Sequence, residues 1–363
     1  MEKKYRVGVL GATGAVGQRF LELLKNHPWF IVTALGASER SAGKKYGDVV
    51  NWKVSAAVPE EAASLLVMEC RADLFIGLVD IVFSGLDSSV AGSVEADFAS
   101  RGIPVFSNAK NHRMDADVPI LIPVINADHL SIVRSQPTFK DKGGFIVTNA
   151  NCASTGLSIA LKPIHERFGI HEVFMATCQA ISGAGYPGLP SMDILDNCIP
   201  FISGEEPKLE EEPAKILGKP SSDGSCIDFA PIAATAMCHR VAVSDGHIVS
   251  VSLRLRERPE SDDEMVRQVR ECLANYKPTQ IVQQLPSCPP HCVVVMAQDD
   301  RPQPRLDRMA GEGMSTCVGR VRPCPLMDVK MTTLSHNTII GAAGGSLLNA
   351  ELAVMEGLIR HNA

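Results

Sequence analysis

The chain has 363 residues, 45% of them hydrophobic and 21% charged, with a formal net charge of −6. That length and balance describe an ordinary globular enzyme of about two domains; the apolar runs fall short of a membrane span, and the acidic balance excludes the basic face of a nucleic-acid binder. Eleven cysteines scattered through the chain read as reduced thiols rather than a disulfide framework, and the opening MEKKYRVGVLG enters structure without a leader, so a cytoplasmic setting is expected.

Tyr5 to Leu10 reads as a strand running directly into Gly11-Ala12-Thr13-Gly14-Ala15-Val16-Gly17. Val16, Phe20, Leu23 and Leu24 then recur at helical spacing until Asn26-His27-Pro28 ends the helix. The glycines are spaced GxxGxxG rather than GxGxxG. Their place between the first strand and first helix nevertheless lets the backbone approach a pyrophosphate, whose charge the helix N-terminus favours. A second strand is expected at Phe30 to Leu35. About 20 residues beyond the glycines, where NAD enzymes place an acidic residue on the ribose, the chain reads ASERSAGKK. Ser38, Arg40 and Ser41 offer hydroxyl and guanidinium donors suited to a 2′-phosphate, with Glu39 among them, so NADP is preferred to NAD. Further βα units around Ile81 to Ser84 and Ile103 to Asn108 complete a doubly wound sheet.

The segment TNANCASTG, Thr148 to Gly156, sets Cys152 between a strand-like run, Gly144 to Thr148, and a helix-like run carrying Leu157, Ile159, Ala160, Leu161 and Ile164. A cysteine at a helix N-terminus meets backbone N–H groups and a positive dipole end that favour the thiolate and could hold an oxyanion. Taken singly, a cysteine is more often a small buried hydrophobe, so its company decides. Beyond it the character changes to longer strands such as Val173 to Ile181 and Val249 to Leu255, read as a second domain. Gly204 to Gly218 is charge-dense and Gln298 to Pro325 irregular, and neither is expected in the core. Asn337 to Ile359 reads as a glycine-rich lead into an amphipathic helix that returns to the first domain.

Three further clusters carry chemistry. In HRVAVSDGH, Arg240 and His247 flank a Ser244-Asp245-Gly246 turn that folds the chain back and can aim both at one site; the arginine could clamp a carboxylate and the histidine move protons near neutral pH. In QAISGAGYPG, Gln179 ends a strand among small residues that permit close approach. Arg113 and Lys208 are lone cations that could meet a phosphate, and by themselves would be solvated charges. Cys288-x-x-His291-Cys292 offers three crowded ligands and no partner pair, so no metal is assigned.

In this order the glycine turn, TNANCASTG, QAISGAGYPG, HRVAVSDGH and HNTIIGAAGGSLLNAEL resemble aspartate-β-semialdehyde dehydrogenases over nearly the whole chain, and GATGAVGQRF, SNAKNHRMD and ISGAGYPG resemble the archaeal and fungal branch. The resemblance implies an α/β, glyceraldehyde-3-phosphate-dehydrogenase-like fold. Its N-terminal Rossmann-type doubly wound sheet would bind NADP over residues 1–151, completed by a C-terminal helix from 337–363, and an α+β catalytic and dimerisation domain would span 152–336. Cys152 is implied as nucleophile, His247 as acid/base, Gln179 as the residue orienting a thioacyl intermediate and Arg240 as the carboxylate clamp. Asn151, Arg113 and Lys208 would bind phosphate, and Glu205, next to Glu206, the substrate amino group. Gly11, Thr13, Gly14, Ala15 and Val16 would hold the cofactor phosphates, Ser38 and Ser41 the 2′-phosphate, and Ser84, Gly85 and Asn337 would lie near the nicotinamide.

The implied reaction is NADPH-dependent reductive dephosphorylation of L-aspartyl-4-phosphate to L-aspartate 4-semialdehyde with release of inorganic phosphate, on the route to lysine, threonine and methionine. A homodimer or homotetramer is implied, without nucleic-acid or membrane partners. The nearest alternative is an acyl-thioester reductase such as a malonyl-CoA reductase, from which Arg113 and Lys208 turn the reading towards a small phosphate leaving group. N-acetyl-glutamyl-phosphate reductase fits the NANCAST segment less well, and a non-catalytic regulator would not need Cys152, Gln179, Arg240 and His247 together.

Overall fold

The computed structural model describes residues 4–361; residues 1–3 and 362–363, on which the absence of a leader and the outer bounds of the first domain bear, lie outside the described residues. Six strands form a parallel sheet: β1 (Tyr5–Leu10), β2 (Phe30–Ala37), β3 (Val67–Glu69), β4 (Ile81–Ser84), β5 (Val105–Ser107) and β6 (Ile146–Thr148). Their order is β3-β2-β1-β4-β5-β6, the doubly wound arrangement, and the reversal between β1 and β4 opens a crevice at the C-terminal strand ends. β4, β5 and β6 are buried throughout, as a parallel sheet covered on both faces requires. Helix α1 (Ala15–Leu24) follows the glycine turn, and α2 (Ser88–Ser100) connects β4 to β5.

After β6 the chain enters α3 (Cys152–Phe168) and then the second sheet. This contains β7 (Ile170–Gln179), β8 (Cys198–Ile199), β11 (Ala233–Val241), β12 (His247–Leu255), β13 (Val293–Val295), β14 (Thr316–Pro323) and β15 (Val329–Ser335) in the order β13-β14-β15-β12-β7-β11-β8. A separate short pair joins β9 (Lys219–Pro220) to β10 (Ile227–Asp228). The sheet is mixed, and α3, α4 (Glu206–Ile216) and α5 (Asp262–Ala274) are its longer helices. α3 packs on β12, β14, β15 and α4, so the helix that begins with Cys152 is buried between layers. The last helix, α6 (Gly344–Met355), lies against β5 of the first sheet. Glu351 joins it to His27 at 2.8 Å, and Asn349 donates to Asn149 at 2.7 Å. Among the described residues no helix is long and apolar enough to cross a membrane.

Four expectations are corrected. Residues 204–218 are not outside the core: they contain α4, with Leu209, Glu212, Lys215 and Ile216 buried, and its two prolines sit in the first turn and at Pro213. Residues 298–325 include β14, whose Cys317 and Val318 are fully buried; its alternation is broken by a register shift between Gly319 and Arg322, where Arg320 has φ +60°. Helix α6 is not amphipathic, since Gly344 through Ala353 are all buried. β11 and β12 do not pair as a hairpin: both pair with β7, which lies between them, β11 parallel and β12 antiparallel. The turn at residues 242–246 steps over the end of β7, where Val243 and Ser244 carbonyls accept from the Ile181 and Ser182 amides.

The glycine turn is among the closest backbone approaches in the first domain. Gly11 has φ +73°, and a Cβ on Gly17 would lie 2.2 Å from the Gly11 carbonyl oxygen, so α1 sits too close to β1 for any side chain there. Gly17→Ala is expected to destabilise the fold by about 1–3 kcal/mol, the usual cost of overpacking, read as a lowered urea midpoint; an unchanged midpoint would show that the turn has room to relax.

Candidate active site

The cleft lies where the two sheets meet. It has a volume of about 300 Å³, and Cys152, Asn151, Arg113, Lys208, Gly183, Asn337 and Gly341 are among the residues that line it. Cys152 is the first residue of α3 and Asn151 its N-cap: the Asn151 Oδ1 accepts from the amides of Ala153 and Ser154 at 2.9 and 3.3 Å. The cap satisfies two of the four orphan amides of the first turn. Thr155 N–H reaches the Asn151 carbonyl, which leaves the N–H of Cys152 itself as the uncommitted donor. Asn151 also donates towards α4, its backbone amide to Glu212 at 2.6 Å and one of its two Nδ2 hydrogens to Glu205 at 2.8 Å.

The sulfur of Cys152 lies 3.2 Å from His247 Nε2. On its other side the ring accepts at Nδ1 from the Ala180 amide at 3.1 Å. A neutral imidazole that accepts at Nδ1 carries its proton on Nε2, so the N–H faces the sulfur. His247 and Gln179 are almost fully buried. Gln179 and Arg240 are opposite each other on β7 and β11, and Arg240 donates through Nη1 to the Ala180 carbonyl at 2.6 Å. A Cβ on Gly183 would lie 2.7 Å from Arg240 Nη1 and 3.2 Å from His247 Nε2, which is why the QAISGAGYPG loop is small where it crosses these two side chains. Asn337 ties the loops together, accepting from Gly246 N–H and donating to Ser182 Oγ, both at 2.8 Å.

The cations expected to be lone are paired. Lys208 donates to Glu205 at 3.0 Å, and Arg113 to Glu212 at 2.8 Å with its second nitrogen on the Asn108 carbonyl at 3.0 Å. Burial works against the charge on Glu205, but Lys208 and hydrogen bonds from Asn151, Lys208 and Gln179 hold its pKa below the ordinary value.

These surroundings overturn one expectation from the sequence. Burial, reinforced by Glu205, pushes the Cys152 thiol up to about 12, although Arg113, Arg240 and Lys208 pull the other way. Burial and the nearby Arg240 push His247 down to about 3 against Glu205 and a Gly246 backbone hydrogen bond. The resting pair is therefore neutral thiol and neutral imidazole, because loss of solvation outweighs the helix dipole and three cations.

On the cofactor side, the first-turn amides of α1 have no side-chain cap and no acidic neighbour in the first turn, with Gly14 as the N-cap. Thr13, Ala15 and Val16 are half-buried around that opening, and Ala15 and Val16 line the cleft. Ser38 and Arg40 are exposed and Ser41 half-buried just past β2. Ser84 and Gly85 are not among the residues that line this cleft. Ser84 is fully buried beside Glu95, and Gly85 packs under Gly11, its carbonyl 2.7 Å from where a Gly11 Cβ would be. Leu86, Asp87 and Ser88 line that wall instead. Glu212 was missed altogether; the signal for it was the spacing 205, 208, 212, which puts three charges on one helical face.

A parallel nucleotide-fold sheet joined to a mixed sheet, with a cysteine and histidine in contact at their junction, defines a two-domain dehydrogenase of the semialdehyde type. Family profiles described as "Semialdehyde dehydrogenase, NAD binding domain" and "Semialdehyde dehydrogenase, dimerisation domain" match residues 6–133 and 161–340. A protein from Aspergillus fumigatus named aspartate-semialdehyde dehydrogenase is 48% identical over 98% of this chain and 99% of its own, and one of the same name from Archaeoglobus fulgidus is 48% identical over 98% and 100%. The crystal structure of aspartate semialdehyde dehydrogenase with NADP from Candida albicans superposes with a TM-score of 0.89 at 44% identity, covering 98% of this chain and all of the other. The chain belongs to the aspartate-semialdehyde dehydrogenase family.

The neutral resting pair makes a direct prediction. With the thiol raised and the imidazole depressed, thiolate is scarce at neutral pH and grows with pH. Alkylation of Cys152 in the unliganded protein, followed by peptide mass spectrometry, should accelerate about tenfold per pH unit between about pH 6 and pH 9. A rate that is flat across that window would mean a preformed ion pair.

Proposed function

We propose that this protein is an NADP-dependent aspartate-semialdehyde dehydrogenase that reduces L-aspartyl-4-phosphate through a thioester on Cys152. The observation that carries the reading is the 3.2 Å contact between Cys152 and His247 at a capped helix N-terminus, with Arg113, Lys208 and Arg240 around it. The uncapped α1 amides beside glycines 11 and 14 suit a pyrophosphate, and Ser38, Arg40 and Ser41 suit a 2′-phosphate, so NADP fits the donors present. When bound, the cofactor supplies hydride to the thioester carbonyl.

Each step assigns work to a residue of this chain. Arg240 would clamp the substrate carboxylate and Glu205 the amino group, with Gln179 steadying Glu205 and the acyl group. Arg113, Lys208 and Asn151 surround the phosphoryl end. As the Cys152 sulfur bonds to the acyl carbon, the C–O bond to phosphate breaks and the thiol proton leaves with hydrogen phosphate. The Cys152 N–H faces the oxyanion. After hydride arrives, the alkoxide collapses, the C–S bond breaks, and L-aspartate 4-semialdehyde leaves. His247 donates its Nε2–H hydrogen bond to the developing alkoxide and then to the released thiolate, which regains a proton from solvent through the same ring. By family, this reaction serves lysine, threonine and methionine biosynthesis, and eleven unpaired cysteines suit a reducing cytoplasmic setting.

The assembly we propose is a homodimer, or a dimer of dimers, through the second sheet. Phe174 on β7 is 42% exposed and Met237 on β11 is 52% exposed, on the face turned away from α3; adjacent apolar side chains on an uncovered sheet face suit a second copy.

Cys152→Ala should bind NADP normally yet lose phosphate-dependent reduction of NADP by L-aspartate 4-semialdehyde; substantial turnover would exclude the covalent route. A compact ammonium cannot reproduce a guanidinium fork, so Arg240→Lys should raise the semialdehyde KM about 10-fold or more. An unchanged KM would count against the carboxylate assignment.

A further inference from the structure

Helix α4 belongs to the second domain, yet one of its faces reaches into the first. Glu205, Lys208, Glu212 and Lys215 follow one another at spacings of three, four and three residues, which stacks them along a single stripe. Lys208 lines the cleft, and Glu205 lies buried beside it, bonded to Lys208 and to Asn151. The other two run beneath the cleft and are more deeply buried, Glu212 at 2% and Lys215 at 1% exposure.

Both oxygens of Glu212 are committed to groups around the nucleophile. Oε1 accepts from Arg113 Nη1 at 2.8 Å and Oε2 from the Asn151 amide at 2.6 Å, so one carboxylate spans the guanidinium of the first domain and the cap residue of α3. The ammonium of Lys215 donates to the carbonyls of Arg113 at 2.7 Å, Asp115 at 2.7 Å and Val118 at 2.8 Å. Three donors meet three acceptors, so the ammonium is saturated. All three carbonyls belong to the loop from which Arg113 projects. Arg113 Nε is buried without a protein partner, so the guanidinium is held by its Nη atoms with a donor in reserve.

We propose that Glu212 and Lys215 are positioning residues of the phosphate subsite. Glu212 sets the direction of the Arg113 guanidinium relative to the N-terminus of α3, and Lys215 fixes the backbone that carries it. Neither touches the substrate. The subsite is thereby assembled across the domain junction, and its donors stand ready before phosphate arrives, which is what electrostatic preorganisation requires. This proposal rests on the reading of Arg113 as a phosphate ligand.

The test is the phosphate-dependent oxidation of L-aspartate 4-semialdehyde by the full-length protein with NADP, comparing the wild type with Arg113→Lys, Glu212→Gln and Lys215→Met. Arg113→Lys should raise the phosphate KM. Glu212→Gln and Lys215→Met should each raise it by about 10-fold or more, the loss of one charge-assisted hydrogen bond, while the semialdehyde KM and NADP binding stay within about twofold and the thermal midpoint shows a folded protein. A phosphate KM raised by Arg113→Lys but not by Glu212→Gln would overturn the positioning role alone. An unchanged phosphate KM in Arg113→Lys would overturn the phosphate reading beneath it. An equal rise in phosphate and semialdehyde KM in Glu212→Gln would mark a general structural role and also overturn the proposal. Glu212→Gln preserves size and shape, so it carries the test if Lys215→Met does not fold.

Discussion

The structure depends on keeping a cluster of charges out of water around one thiol. Arg113, Arg240, Glu205 and Glu212 are each less than a tenth exposed and surround the first turn of α3, where Cys152 begins the helix and Asn151 caps it. Taking each ion from water costs several kcal/mol, recovered only where every charge finds a partner. The pairs are therefore interlocked: Lys208 with Glu205, Arg113 with Glu212, and both carboxylates with Asn151. Removing one member would strand another, at about 3–5 kcal/mol for a buried pair, so the cleft is held at strength because its parts cannot be taken away singly.

That interlock also crosses the domain boundary. Arg113 comes from the first domain, while Glu205, Lys208, Glu212 and Lys215 come from the segment of α4 in the second. α6 adds a third tie by returning to the first sheet, where Asn349 meets Asn149 and Glu351 meets His27. Cys152 is thus positioned by both domains, through side chains and not only through the path of the chain.

The parts of this arrangement that depend on neighbours in sequence are legible in the sequence itself. The glycine turn between β1 and α1, and Cys152 at the start of a helix, are local patterns, and the residues around Arg240 and His247 lie within one short stretch. Features set by distant contacts were not legible. The charge density of Gly204 to Gly218 reads as surface, yet the segment folds as α4, with Pro207 in the first turn, where its missing N–H is tolerated, and packing holding the helix across Pro213. β14 lost its alternation to a bulge at Arg320. The Arg240 to His247 stretch suggested a hairpin because nothing within it reveals that β7 lies between the strands. The protonation of Cys152 misled for a physical reason: the helix terminus is visible in the sequence, and the burial that outweighs it is not.

The central claim is that Cys152 carries the acyl group. It is tested most directly by mixing the protein with L-aspartyl-4-phosphate without cofactor, quenching rapidly, and reading released phosphate together with the mass of the Cys152 peptide. The account predicts about one phosphate per active site and an aspartyl adduct on Cys152, as covalent catalysis with a separate hydride step demands. Phosphate release without an adduct, or an adduct on another residue, would contradict it.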